Sequence, residues 1–265
     1  RKRILFYNYF EDWINIYKVG AVSERTIDKY WLAHRHLKKL APDLELGQIT
    51  RIEYQKIINE FAETHEKATT MDFHHQLKSS ILDAFDDGLI DRDPTRKTVV
   101  KGKKPGKKKQ KYLSEFELKM LLRHLHLGTE PNLDWLILLV AKTGLRFGEA
   151  LGLTKEDFDF ENQIINISKT WDYKAARGGF KSTKNKSSIR KVQLDWKLCM
   201  QFNTLLRDFP NGTPIFVKKR VFNSTVNNRL KQYCEELAIP IISIHGLRHT
   251  HASMLLFAGV SIASV

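Results

Sequence analysis

The sequence predicts a mainly helical α+β protein: a helical bundle, then a larger helical domain carrying one small antiparallel sheet. Three observations predict it. Apolar residues recur at helical spacing through the N-terminal third, a run of basic residues then breaks the pattern, and beyond it helical spacing resumes around two short stretches that alternate apolar with polar residues.

In the N-terminal third, Leu5, Tyr9, Trp13 and Ile16 share one helical face within residues 5–18, and Ile27, Tyr30, Trp31 and Leu37 do so within residues 24–40. Thr50 and Glu53 form a capping box ahead of a third helix ending near Ala62, because a side-chain oxygen and a carboxylate placed three apart satisfy each other's free backbone amides. A fourth helix spans about 69–87 and stops at Gly88. Asp93-Pro94 closes the region, since proline lacks the amide a helix needs and biases the preceding residue toward extended backbone. Residues 1–95 are therefore expected to form one helical bundle.

Residues 96–111, RKTVVKGKKPGKKKQK, hold nine Lys or Arg and no acid. Like charges repel, so this segment is expected to be an extended linker with a reach on the order of 50 Å. Lys101, Lys103, Lys104, Lys107, Lys108, Lys109 and Lys111 could then lie along a polyanion as a strap. Residues 112–265 form the second domain. It opens with a capping box at Ser114 and Glu117, continues through a nearly all-apolar helix at 133–141, and has alternating strands at 163–168 and 189–194 joined by a lysine-rich connection. Helices are expected again near 195–208, 222–237 and 246–258.

Composition narrows the function. The 44 Lys and Arg outnumber 30 acids, giving a formal charge of +14, which favours a polyanionic partner and nucleic acid above a membrane surface. No stretch is apolar enough to cross a bilayer. Cys199 and Cys234 lack the close spacing of a metal knuckle or redox pair and read as packing residues. No glycine-rich phosphate loop followed by Lys-Ser or Lys-Thr is present, so nucleotide hydrolysis has no support. Glu156, Asp157, Asp159 and Glu161 could suggest a two-metal nuclease, but Phe158 and Phe160 separate them and a solvated turn is expected.

Three segments could carry chemistry. In Thr143-Gly144-Leu145-Arg146-Phe147-Gly148-Glu149, a glycine turn delivers Arg146 to the start of a helix. Glu149, three residues on, can hold its guanidinium in the orientation a phosphate needs. In His245-Gly246-Leu247-Arg248-His249, His245 and Arg248 are neighbours on one face near a helix start, where free amides and the helix dipole favour an anion. His245 and His249 have zinc-helix spacing, yet Gly246 stands where such motifs carry Glu. On the connection between the strands, Lys184, with Lys186 two residues on, could bring an ammonium to the leaving oxygen of a phosphate ester.

Arg146, Lys184, His245 and Arg248, in the contexts TGLRFGEA, TKNKSSIRKV and HGLRHTHAS, resemble the tyrosine recombinases, close to the integrases of phages and conjugative transposons. The resemblance covers essentially the whole chain. It implies a core-binding bundle and a catalytic domain that close on duplex DNA as a clamp. It also implies a tyrosine that attacks the scissile phosphate, leaving a 3′-phosphotyrosyl link and a 5′-hydroxyl, with no metal, ATP or other cofactor. Arg146 and Arg248 would hold the nonbridging oxygens, Lys184 (or Lys186, if the register differs) would protonate the leaving oxygen, and His245 would bond the phosphate or help proton transfer. The family also implies double-stranded attachment sites, a homotetramer on DNA, accessory DNA-bending proteins and the cytoplasm of a bacterial host. The family pattern continues with a further His or Trp after a glycine and then the tyrosine. The residues end at Gly259–Val265 and Tyr233 precedes the motif, so this chain is expected to lack its nucleophile, to bind without cleaving, and to lack an N-terminal arm-binding domain. A catalytically silent DNA-binding regulator on the same scaffold is the alternative.

Overall fold

The computed structural model describes residues 3–106, 110–175, 177–182 and 188–259. The chain divides into two compact units, Arg1–Lys108 and Lys109–Val265. It is mainly helical, with small antiparallel sheets confined to the second unit.

The first unit is a four-helix bundle of α1 (Phe6–Tyr17), α2 (Glu24–Leu40), α3 (Arg51–Thr64) and α4 (Lys67–Asp86). On α1 the face turned inward is Phe6, Phe10, Trp13 and Ile14, whereas Ile16 is 71% exposed and Tyr9 only part-buried. Two stripes fit the same periodicity, and the one bearing two phenylalanines removes more apolar surface from water, by roughly 1.5–3 kcal/mol per fully buried side chain. On α2 the buried set is likewise Ala33, His34 and Leu37, with Ile27, Tyr30 and Trp31 at the margin. Trp13 Nε1 donates to Asp83 (2.6 Å) and the buried Tyr54 hydroxyl meets His74 Nδ1 at 2.9 Å, so the polar ends of these core aromatics are satisfied. The Thr50–Glu53 capping box starts α3 as expected.

The basic segment departs from the expected free linker. The Gln55 side chain donates to the Val99 carbonyl (2.8 Å) and accepts from its amide (2.9 Å), and Lys103 N–H donates to the His65 carbonyl (2.9 Å). The unit boundary accordingly falls at Lys108 rather than at residue 95. Charge repulsion does not prevent this, because Lys101, Lys103 and Lys104 point into solvent while the backbone makes the contacts.

The second unit packs α5 (Glu115–His124), α6 (Leu133–Thr143), α7 (Phe147–Leu151), α8 (Trp196–Leu205), α9 (Asn223–Glu236) and α10 (Ile244–Phe257) around one core. α6 is buried on nearly every side, as its composition predicts for a central helix, and α10 packs along it. Strands β1 (Phe158–Asp159), β2 (Ile164–Ile167) and β5 (Arg190–Gln193) form an antiparallel sheet in the order β1-β2-β5, with Ile165 opposite Val192 and Ile167 opposite Arg190. The connection between β2 and β5 is not all loop: β3 (Lys169–Trp171) and β4 (Phe180–Ser182) pair within it as a second antiparallel sheet, and β3 lies against α7. Cys199 and Cys234 are buried free thiols. Among the described residues no helix is long and apolar enough to cross a membrane.

Candidate functional site

α6 ends on Gly144, whose φ of +64° is the left-handed conformation that terminates helices and that a side chain resists. The chain reverses there, Leu145 is pinned in the core, and Arg146 becomes the residue preceding α7. Glu149, only 2% exposed, faces back toward it. One of its carboxylate oxygens accepts the Arg146 backbone N–H (2.9 Å) and the other accepts Arg146 Nη1 (2.9 Å), so the helix start and the guanidinium are set by one group.

The sequence reading did not single out the second arginine on that carboxylate. Arg190, first residue of β5, forks onto Glu149, Nη1 to one oxygen at 3.0 Å and Nη2 to the other at 2.8 Å. Each oxygen thus takes one donor from each arginine. Nothing local points to this pair, because 41 positions separate its members. The available signal was a buried carboxylate for which one arginine is too few donors. Burial pushes the Glu149 carboxyl up, but the Arg190 hydrogen bonds, the Arg146 amide and the Arg190 charge outweigh it and hold the group below its ordinary range.

α10 supplies the remaining groups. Arg248 is part-buried and donates Nη1 to the Gly144 carbonyl, tying the motif on α10 to the turn that presents Arg146. Burial and then the nearby Arg146 lower its proton affinity, with Glu149 opposing and Arg190 adding to the repulsion. His245 is lowered by burial, then by His249, Arg248 and Arg146, so its imidazole is neutral at pH 7. Arg248 therefore lies within electrostatic reach of Arg146, Glu149, Arg190 and His245, and Arg146 within reach of Glu149 and His245. Three guanidiniums against one carboxylate leave two positive charges in excess, an arrangement that attracts an anion.

Two expectations change. The start of α10 offers fewer free amides than the motif suggests, because Ile244 N–H donates to Asn227 (2.8 Å) and Gly246 N–H to Ser243 Oγ (3.2 Å). The acidic cluster is not a solvated turn throughout: Asp157 is buried, accepts from the Thr154 amide (2.8 Å) and hydroxyl (3.0 Å), and pairs with Lys169. Glu156 and Asp159 stay at the surface, where Asp159 accepts from Asn162. The His245 and His249 rings sit 4.5 Å apart, and among the described residues no group of three or more His, Cys, Asp or Glu side chains could hold a metal ion. Lys184 and Lys186 lie outside the described residues, as do Lys107, Lys108 and Lys109. Lys111 is exposed just ahead of the stretch that crosses α10, where the Leu113 amide donates to the buried Thr250 hydroxyl (2.9 Å).

Comparison with known proteins agrees with this fold. The phage integrase family model matches residues 111–265, more than half of the chain. A probable integrase of prophage ps2 from Lactococcus lactis subsp. lactis is 27% identical over 94% of this chain and 71% of its own length. The transposase of transposon Tn916 from Enterococcus faecalis is 29% identical, but over 47% of this chain and 36% of its own. The Tn1549 transposon integrase, solved in complex with transposon right end DNA, superposes with a TM-score of 0.80 at 19% identity, covering 97% of this chain and 88% of that one. The lambda integrase dimer bound to a core site gives 0.66 at 14% identity over 96% of this chain and 71% of that one. Two units, a shared fold and a family match that contains both arginine motifs make this chain a member of the phage integrase family, the tyrosine recombinases.

Proposed function

We propose that this chain is the DNA-gripping and phosphate-activating part of a site-specific integrase that cuts and rejoins duplex DNA at its element's attachment sites. The observation that carries the reading is that Arg248, through its bond to the Gly144 carbonyl, is tied to the turn that presents Arg146 on Glu149. In this reading Arg146 and Arg248 hold the two nonbridging oxygens of one backbone phosphate and offset the charge that builds as it becomes pentacovalent. A tyrosine gives up its hydroxyl proton, with His245 helping the transfer, as its oxygen attacks the phosphorus; the phosphorus–O5′ bond breaks, and the leaving oxygen takes a proton from Lys184, with Lys186 as the alternate donor. The 5′-hydroxyl of a partner strand reverses the step, so no nucleotide cofactor is consumed. Neutral His245 is suited to bond the phosphate without adding to the repulsion between the arginines.

Tyr233 is not the nucleophile of this reading, because it is buried and its hydroxyl donates to Asp134 (2.7 Å). The exposed Lys101, Lys103, Lys104 and Lys111, with Lys107, Lys108 and Lys109 between them in sequence, contact flanking phosphates. Solved relatives include a lambda integrase tetramer bound to a Holliday junction, and a homotetramer with accessory DNA-bending proteins is the corresponding assembly here.

Residues 1–265 should bind duplex with an affinity that falls steeply between about 50 and 200 mM salt, as counterion release requires. The complete gene product, given nicked duplexes carrying its element's ends, should become covalently attached to DNA. Arg146→Ala or Arg248→Ala should abolish the adduct and spare most binding. Adduct formation at the wild-type rate in either variant refutes the assignment.

A further inference from the structure

We propose that Arg190 is a positioning residue for the site: by gripping both oxygens of Glu149, it fixes the anion against which the Arg146 guanidinium is oriented. The inference rests on the reading of Arg146 as a phosphate ligand. Its geometry does not, since the Arg190–Glu149–Arg146 bridge is made wholly of this chain's own side chains.

Glu149 is 2% exposed, whereas the Arg146 side chain is 56% exposed. Arg146 is thus an exposed group resting on a buried anchor, and one charge-assisted contact to its side chain fixes less than a bidentate fork does. The fork on Glu149 belongs to Arg190, whose side chain is 30% exposed and whose backbone is fixed in β5 opposite Ile167. Arg190 Nη1 also reaches the Ser188 carbonyl (3.3 Å), so both ends of its guanidinium are committed. The two-pronged face of this guanidinium is thus turned to Glu149 rather than to a phosphate. Its effect on the anion reaches the site through Glu149.

Removing it has a directional consequence. Glu149 is faced by Arg146 from α7, Arg190 from β5 and Arg248 from α10, with His245 beside Arg146 and Arg248. Burial favours the protonated carboxyl, and Arg190 is the largest influence opposing it. Without Arg190, Glu149 takes a proton at higher pH, loses its charge, and releases Arg146. The acid limb of any reaction that needs Arg146 in place then moves upward.

The test follows adduct formation by the complete gene product against pH in wild type, Arg190→Ala, Arg190→Lys and Glu149→Gln. A second readout titrates the Glu149 carboxyl by carbon NMR in residues 1–265. The expected result is an acid limb displaced upward by about one pH unit or more in Arg190→Ala. Arg190→Lys, which keeps the charge but loses the fork, should lie between. Glu149→Gln should lose that limb and make a further Arg190→Ala change silent, while any limb belonging to His245 persists. Superimposable limbs in wild type, Arg190→Ala and Arg190→Lys, or an equal loss at every pH, overturn the positioning role. If the wild-type protein forms no adduct, the functional reading fails and the carboxyl titration alone decides the inference: an unmoved Glu149 in both Arg190 variants overturns it. Should Arg190→Ala not fold, Arg190→Lys carries the comparison.

Discussion

Replacing Gly144 with alanine isolates the turn on which the arginine pair depends. At φ +64° an added Cβ would lie 2.6 Å from His251 Cδ2, well inside contact distance. The His251 ring cannot swing away freely, because it is part-buried and hydrogen-bonded to the Ala141 backbone. Left-handed backbone costs an alanine about 1–2 kcal/mol. Overlap in a packed setting adds about 1–3 kcal/mol, for a total of about 2–5 kcal/mol. For a unit of this size the total corresponds to a fall in Tm of roughly 4–20 °C. Gly212 is the internal control: its φ is +68°, but nothing lies within 4 Å of an added Cβ, so Gly212→Ala should show the backbone cost alone. Thermal unfolding of the two variants, followed by circular dichroism, gives the difference directly. Because the Gly144 carbonyl accepts from Arg248, adduct formation by the folded Gly144→Ala protein should fall as well, with most DNA binding spared. Equal losses in the two variants would show that the His251 contact contributes nothing and that the turn is not packed as described.

Two further outcomes concern buried polar groups. Asp134, 3% exposed, accepts from the His126 amide (2.7 Å) and the Tyr233 hydroxyl (2.7 Å), so Asp134→Ala strands two donors and should cost about 2–5 kcal/mol. Urea denaturation measures this, and a loss below 1 kcal/mol counts against the network. Burial, with His75 and Lys78 nearby, holds His74 at about 4, below its unfolded value of 6.5. As pH falls the unfolded chain takes this proton first, so the first unit should lose up to about 3 kcal/mol between pH 6.5 and 4. In His74→Gln, which can still meet the Tyr54 hydroxyl, that part of the pH dependence should vanish; an unchanged acid profile sinks the assignment.

What the sequence revealed and what it hid follow from the range of each interaction. The capping boxes at Thr50 and Ser114 were legible because both partners lie within four residues and their chemistry is local. Arg146 with Glu149 was legible on the same grounds. Arg190 was not, since its bond to Glu149 exists only after β5 has docked beside α7, and β-strand periodicity says nothing about where a strand's first side chain points. The α1 stripe went wrong for a different reason: two apolar faces satisfy one period, and which is buried depends on the helices that cover it. The four acids after Lys155 looked alike, yet Asp157 was drawn inward by Lys169, a partner on a strand too short to be read from alternation.

The Leu113–Thr250 hydrogen bond has a mechanical consequence. Thr250 is fully buried and also donates to the Gly246 carbonyl, and a Cβ on Gly246 would approach the Lys111 carbonyl to 3.1 Å, so residues 111–113 lie flush on α10. Residues 111–113 are therefore carried by the very rod that bears His245 and Arg248, two residues from the point of attachment in the case of Arg248, so a tilt of α10 displaces the Leu113 backbone with it.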